Sequence, residues 1–303
     1  MLELNKIYCG ANSEILKQID SETINCCITS PSYWALRDYG IDGQLGLEPT
    51  FEEYINKLCN IFDEVKRVLR KDGTCWIVIG DSYSANRTYQ VDGTKQISGS
   101  QPHKQPMADL PNKCLIMIPF HFAIEMVNRG WILRNTIIWY KPNCMPASVK
   151  VRFTVDFEYV FFFVKNKKYW FEQQFEPAQN WGIRDRENFR NGTEDPKLKH
   201  YGLKDCNFKD TGRNKRAVWQ VTTKTFKSKA HFAKYPEELI EPMIKAGCLE
   251  NGIVLDPFMG SGTTGVVAKK LNRNFIGIEI NPNYVDIANK RLANTYRQSE
   301  LIK

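Results

Sequence analysis

The sequence predicts an α/β protein: a mainly parallel sheet covered on both faces by helices, interrupted by one small inserted module. Three observations carry this. Strand-length apolar runs alternate with amphipathic stretches at both ends of the 303-residue chain. Two of those strands run straight into turns that present polar groups: Ser30-Pro31-Ser32-Tyr33-Trp34 near the start, and Asp256-Pro257-Phe258-Met259-Gly260-Ser261-Gly262-Thr263-Thr264 near the end. Between them Tyr169 to Arg216 is polar, basic and poor in aliphatic residues.

In chain order, Lys6 to Ala11 reads as a short strand, Ser13 to Ile19 as a helix and Ile24 to Thr29 as a strand stopped by Ser30-Pro31. Phe51 to Leu69 is an amphipathic helix, since Tyr54, Leu58, Ile61, Val65 and Leu69 recur at spacings of three and four. Lys71-Asp72-Gly73 predicts a turn after it, and Thr74 to Gly80 a buried strand ending at Asp81. Ser84 to Leu110 has Gly, Ser, Gln and Pro without periodicity, which predicts a long loop. Cys114 to Asn128 reads as helix, and Trp131 to Tyr140 and Asp156 to Lys165 as neighbouring strands. After the basic stretch the pattern returns: helix Pro236–Ala246, strand Gly252–Asp256, helix Thr263–Leu271, strand Asn274–Glu279 and helix Pro282–Tyr296.

Composition narrows the class. No apolar run approaches the roughly 18–20 residues that span a membrane, and the first residues show no secretion signal. The nine cysteines are scattered without a CxxC, which fits reduced thiols rather than a disulfide frame or a zinc site, and the four histidines form no cluster, so no metal is expected. The net charge of +8 sits entirely between Gln179 and Lys234, where 14 Lys/Arg face 6 Asp/Glu. Aromatic and amide residues interleaved with that charge (Trp181, Phe189, Tyr201, Asn207) point to a nucleic-acid surface rather than a merely solvated face.

The C-terminal turn allows two cofactor readings. Gly260-Ser261-Gly262-Thr263-Thr264-Gly265 matches G-x-G-x-x-G, and Glu279 follows where a ribose-binding acid belongs, so a dinucleotide is one. Asp256 ahead of the glycines argues against it: a carboxylate there repels a diphosphate but suits a cationic amino group. Too little chain follows Gly265 to complete a dinucleotide domain in sequence order. S-adenosyl-L-methionine is the favoured cofactor.

These two motifs, in this order, resemble the amino-group DNA methyltransferases of the permuted β class, which carry S/D-P-P-Y/F/W first and D-P-F-x-G-S-G-T-T last. The resemblance covers nearly the whole chain. It implies a seven-stranded S-adenosylmethionine-dependent methyltransferase sheet, circularly permuted, with one antiparallel strand and with Lys6–Ala11 beside Asn274–Glu279. Residues 1–165 would form the catalytic part, 166–229 a target-recognition module and 230–303 the cofactor-binding part. Asp256, Phe258, Gly260, Ser261, Gly262, Thr263 and Thr264 would surround the methionine portion, with Phe232 and Ala233 closing its carboxylate end and Glu279 on the ribose. Where the family has an adenine-contacting Asp this chain has Ala11, and Asn12 offers an amide in its place.

On the substrate side the resemblance makes Ser30, Pro31, Ser32 and Tyr33 the catalytic tetrad. An exocyclic amine is a poor nucleophile because its lone pair is delocalised into the ring. The Ser30 hydroxyl and Pro31 carbonyl can accept its hydrogen bonds, and Tyr33 offers a stacking face; Trp34 either extends that wall towards DNA or packs in the core. Ser32 replaces the family's second proline, which should loosen the turn slightly. Arg213, Lys215 and Arg216 are the expected phosphate contacts, and Asn86 to Leu110 is a loop expected to order on DNA. A C5-cytosine mechanism is excluded, because no Pro-Cys dipeptide occurs. RNA and protein-glutamine methyltransferases usually place Asn-Pro-Pro-Tyr after the cofactor loop, opposite to the order here. A catalytically dead DNA-binding relative would carry a broken motif, and both are intact.

Serine at the head of the tetrad resembles the cytosine-N4 members, whereas adenine-N6 members mostly carry Asp, so cytosine N4 in double-stranded DNA is the expected target and adenine N6 the alternative. The expected setting is cytoplasmic and nucleoid-associated, in a prokaryote or phage. Double-stranded DNA is the expected partner. A cognate restriction endonuclease and a homodimer are left open by the residues.

Overall fold

The computed structural model describes residues 2–84, 90–91, 110–111, 113–177, 212–223 and 235–296. Its elements are β1 (Lys6–Cys9), α1 (Asn12–Ile15) with a 3-10 turn (Leu16–Gln18), β2 (Ile24–Thr29), β3 (Arg37–Asp38), α2 (Phe51–Val68), β4 (Leu69–Ile79), β5 (Gln90–Val91), α3 (Ile118–Asn128), β6 (Ile132–Tyr140) and β7 (Phe157–Val164). There follow β8 (Phe175–Glu176), β9 (Arg213–Asn214), β10 (Val218–Gln220), α4 (Glu237–Gly247), β11 (Ile253–Asp256), α5 (Thr263–Lys270), β12 (Asn274–Glu279) and α6 (Pro282–Ala293).

The main sheet runs β1-β12-β11-β2-β4-β7-β6-β10. Every pairing is parallel except those of β7, which is antiparallel to both β4 and β6. β1 lies beside β12, from Lys6 opposite Ile276 to Cys9 opposite Glu279, so the sheet is assembled from both ends of the chain. It carries one strand beyond the expected seven: β10, an edge strand pairing Val218 with Ile138. Three residues show too little alternation to be legible in sequence.

Burial on both faces explains the sequence of β7. Phe161 and Phe163 point into one core with Leu58, Phe62 and Phe122. Val160, Phe162 and Val164 point into the other with Trp76, Met243 and Phe275. A continuous apolar run is what a strand buried on two sides requires.

α2 shows how local chemistry sets the ends. The Thr50 hydroxyl accepts from Glu53 N at 3.2 Å, Glu52 and Glu53 occupy the positive N-terminal turn, and Lys66 and Arg67 the last turn. The turn expected at Lys71-Asp72-Gly73 is instead strand. β4 begins directly after α2 and shifts register opposite Ile24 and Cys26. Gly73 serves that irregularity, since a Cβ there would lie 2.6 Å from Leu69 Cγ. α3 starts later than expected, at Ile118, because Pro119 suits only a helix's first turn.

Gln173–Arg216 forms a compact unit of its own. Its described part is the β8–β9 ladder, Phe175 opposite Asn214 and Glu176 opposite Arg213. Most of the basic stretch, most of Asn86 to Leu110, and Phe232 and Ala233 lie outside the described residues. Among the described residues no helix is long and apolar enough to cross a membrane, and no group of side chains has the makings of a metal site.

Candidate active site

Neighbouring parallel strands deliver their last residues to one edge of the sheet: β12 ends at Glu279, β11 at Asp256, β2 at Thr29 and β4 at Ile79. In open α/β sheets ligands bind beyond such carboxyl ends.

Asp256 is fully buried and accepts four hydrogen bonds. Its Oδ1 receives Thr29 Oγ1 at 2.6 Å and Phe258 N at 3.0 Å. Its Oδ2 receives Thr264 Oγ1 at 2.6 Å and the Tyr235 hydroxyl at 2.9 Å, and those two hydroxyls also touch. Burial pushes its pKa up, and the hydrogen bonds oppose that. The carboxylate therefore ties β2, the glycine turn, the start of α5 and the approach to α4 into one knot. This structural work stands beside the grip on a cationic amino group expected from the sequence.

The glycine turn is held from behind. Arg291 of α6 donates to Ser261 O (2.6 Å), Ser261 Oγ (3.2 Å) and Thr263 Oγ1 (3.1 Å). Gly262 has φ +83°, and a Cβ there would stand 2.8 Å from the Ala288 Cβ, so only glycine lets α5 approach α6. Gly260 differs: at φ +53° its missing Cβ would meet only Phe258 O at 3.9 Å, leaving open space over the turn. Glu279 Oε2 accepts from Gly260 N at 2.7 Å and Oε1 from Asn281 N at 2.8 Å. Burial raises its pKa against the pull of those backbone donors. Each of its oxygens retains a further lone pair. Asn12 reaches the same turn, its Nδ2 donating to Pro257 O at 3.4 Å.

Asp81, just past β4, belongs to neither motif. Its Oδ1 accepts from Ser82 N (2.8 Å) and Ile118 N (3.0 Å), while Oδ2 is buried without a hydrogen-bond partner among the described residues. Desolvation pushes this carboxyl up. An orphan acceptor, spare lone pairs on Glu279 and open space over Gly260 fit a polar ligand bearing hydroxyl and cationic donors.

On the other side of Asp256, Ser30, Pro31, Ser32 and Tyr33 follow Thr29 at the tip of β2. The turn loses little firmness from Ser32, because the buried Tyr54 of α2 donates to Ser32 O at 2.8 Å. Tyr33 lies close against the Gly80 backbone: a Cβ at Gly80 would be 2.6 Å from its Cε2. Its hydroxyl donates to Glu158 Oε2 at 2.6 Å, and Lys141 Nζ pairs with the other Glu158 oxygen. Burial and the Glu158 charge push the phenol well up, and a hydrogen bond with Ser30 opposes them. Sequence reasoning missed Glu158 and Lys141. The available signal was a lone carboxylate in the aromatic strand Phe157-Glu158-Tyr159.

Trp34 requires correction. It is 1% exposed, packs edge-on against Phe51 and donates Nε1 to Glu48 O at 3.0 Å, so it is a core residue and not a DNA-facing wall. Within the small unit, Arg213 and Arg216 both donate to Glu176 Oε1, at 2.8 and 2.6 Å. Desolvation acts to raise Glu176, but the two guanidiniums win and hold it below the usual carboxylate range. Lys215 is half-buried, its backbone N–H bonded to Gln174 O.

A sheet in this order, with a glycine turn and strand-end carboxylates beside a strand-end Ser-Pro-Ser-Tyr, has the fold of solved DNA methyltransferases. More particularly, the chain belongs to the N6/N4 DNA methylase family, whose model matches residues 24–290. It is 41% identical over 297 residues to the type II methyltransferase M.Cfr9I of Citrobacter freundii, covering 96% of this chain and 89% of that one. With M.SmaI of Serratia marcescens it shares 39% over 289 residues, covering 95% and 90%. Among solved structures it resembles PvuII DNA methyltransferase, described as cytosine-N4-specific, at a TM-score of 0.65 and 20% identity over 94% of this chain and 85% of that one. A putative DNA modification methylase of Thermus thermophilus, solved with S-adenosyl-L-methionine, gives 0.60 and 22% over 95% and 93%. The chain is a DNA methyltransferase.

Proposed function

We propose that the chain methylates the exocyclic N4 of a cytosine turned out of double-stranded DNA, at a specific site. The observation that carries this reading is the neutral Ser30 hydroxyl at the tip of β2, hydrogen-bonded to a Tyr33 phenol that Glu158 anchors. Ser30 accepts from the target amine, and the Pro31 carbonyl is a second acceptor with no N–H of its own residue competing. The two acceptors draw the amine nitrogen towards a tetrahedral geometry that localises its lone pair, and Tyr33 stacks on the base. Extrusion of the base costs about a few kcal/mol, offset by stacking and phosphate contacts. When bound, S-adenosyl-L-methionine supplies the electrophilic methyl group. Glu279 accepts the ribose hydroxyls. Phe258, Gly260 and Asn12 line the turn, and Ser261, Gly262, Thr263 and Thr264 give it shape.

Residues 166–229 are proposed as the target-recognition module, with Arg213, Lys215 and Arg216 among its phosphate contacts. The type II naming of the relatives supports a cognate restriction endonuclease as a partner in the cell. Serine in place of Asp supports cytosine over adenine by family pattern. Digesting DNA modified by the chain to nucleosides and weighing the products is expected to give N4-methyldeoxycytidine. N6-methyldeoxyadenosine alone would transfer the assignment to adenine.

A further inference from the structure

Between β6 and β7 the chain leaves the sheet edge from Pro142 to Val155, a stretch with Lys150 and Arg152 and no Asp or Glu. Phe153 is 97% exposed, Met145 88% and Val151 76%. A single exposed apolar residue is ordinary. Three on one connection, interleaved with two cations, form a surface adapted to something both anionic and apolar.

The feet of this connection fix its place beside the site. Lys141 N donates to Asp156 O at 2.7 Å, and Asn143 is held by Thr223 through bonds of 2.7 and 2.9 Å. Lys141 and Glu158, on the two feet, are the pair that anchors the Tyr33 phenol. Further out, the Arg152 guanidinium lies 3.9 Å over the ring of Tyr83, which follows the Gly80 backbone that Tyr33 lies against. The connection thus bends over the carboxyl edge where the target base must enter.

Duplex DNA with one base removed from its stack offers this combination: a phosphate rail beside an empty, apolar step. A second copy of the chain does not, because self-pairing of this face would set its cations against each other with no acid to offset them. We infer that the β6–β7 connection is the wedge that enters the duplex as the target base leaves, Phe153 filling the vacated step while Lys150 and Arg152 meet phosphates. This rests on the reading of the chain as an enzyme acting on an extruded base.

The test uses the full chain and unmethylated bacteriophage DNA, reading single-turnover methyl incorporation. Phe153→Ala slows incorporation about tenfold or more, as expected when an intercalating side chain is lost. Phe153→Trp restores it to within about threefold, because any flat ring fills the step. Calorimetry gives unchanged affinity for S-adenosyl-L-methionine in both variants, and melting is unchanged because the side chain is exposed. Replacing Lys150 and Arg152 with Gln lowers the slope of DNA affinity against salt by about two. Wild-type rates in Phe153→Ala overturn the wedge, as does Phe153→Trp failing as badly as Ala. Cofactor affinity falling in step with rate assigns the connection to covering the cofactor instead. Self-association of the wild type that Phe153→Ala abolishes assigns it to a second copy. Methylated adenine in the product sinks the cytosine assignment and leaves the wedge standing.

Discussion

At Asp256 the motif was legible but the orientation was not. A sequence records a carboxylate at a strand end; it does not record that Thr29, Phe258, Thr264 and Tyr235 all donate to it. Asp256→Ala leaves those buried donors unpaired, at about 1–3 kcal/mol for each that finds no water. The expected result is a fall of roughly 3 kcal/mol or more in unfolding free energy without cofactor, seen as a lower urea midpoint at unchanged slope. A variant as stable as the parent would show that the knot is dispensable. Glu158 gives the opposite case, a residue with no motif whose role only geometry reveals. Glu158→Gln keeps the shape but weakens the hold on the Tyr33 phenol and leaves Lys141 without its carboxylate. A kcat loss of about fivefold or more is expected, with cofactor affinity unchanged, since a charge-assisted hydrogen bond exceeds a neutral one by roughly 1 kcal/mol or more. An equal loss in cofactor binding would argue for general damage to the site.

Among the elements, those with long or strict periodicity were readable and those made by context were not. β2, α2 and β12 begin and end close to where their patterns do, because burial of one stripe or both faces dictates their composition. β4 extends through Lys71-Asp72-Gly73 because pairing with β2 overrides local turn chemistry, and β10 exists only through its ladder with β6. Trp34 stayed between two readings for a related reason: a large aromatic next to a catalytic turn serves either packing or stacking, and only its neighbours decide. The glycine turn invites a direct check. Gly262→Ala forces φ +83° on a residue with a Cβ and drives that Cβ into Ala288. A loss of about 1–3 kcal/mol is expected, with weaker cofactor binding as α5 is pushed from α6. Gly260→Ala, with open space at its Cβ, should cost less stability and show its loss mainly in calorimetric affinity for S-adenosyl-L-methionine.

For the whole molecule, the order of the two motifs was enough to anticipate that both chain ends build one sheet. The module boundary was harder, because charge composition marks a surface and not a contact boundary. The compact unit is Gln173–Arg216, and the chain re-enters the main sheet at once through Val218–Gln220. Replacing Gln173–Arg216 with a short Gly/Ser linker should leave a cooperatively melting body that still binds S-adenosyl-L-methionine. Its DNA affinity should depend less steeply on salt, by about three units or more if Arg213, Lys215 and Arg216 all meet phosphates. A body that no longer folds would show that the unit is structurally integral.

The slot between β1 and β2 has a further consequence. β11 and β12 fill it, and they are synthesised after every other strand of the sheet. Until they emerge from the ribosome, β1 has no partner and β2 offers an open edge to any other extended chain. A nascent polypeptide in that condition is exposed to mispairing for as long as translation lasts, and closing pairs nearly the full length of the chain apart are slow to form. Pauses in translation before Ile253, or scarcity of chaperones, should therefore lower the yield of active enzyme far more than any change in the stability of the finished fold.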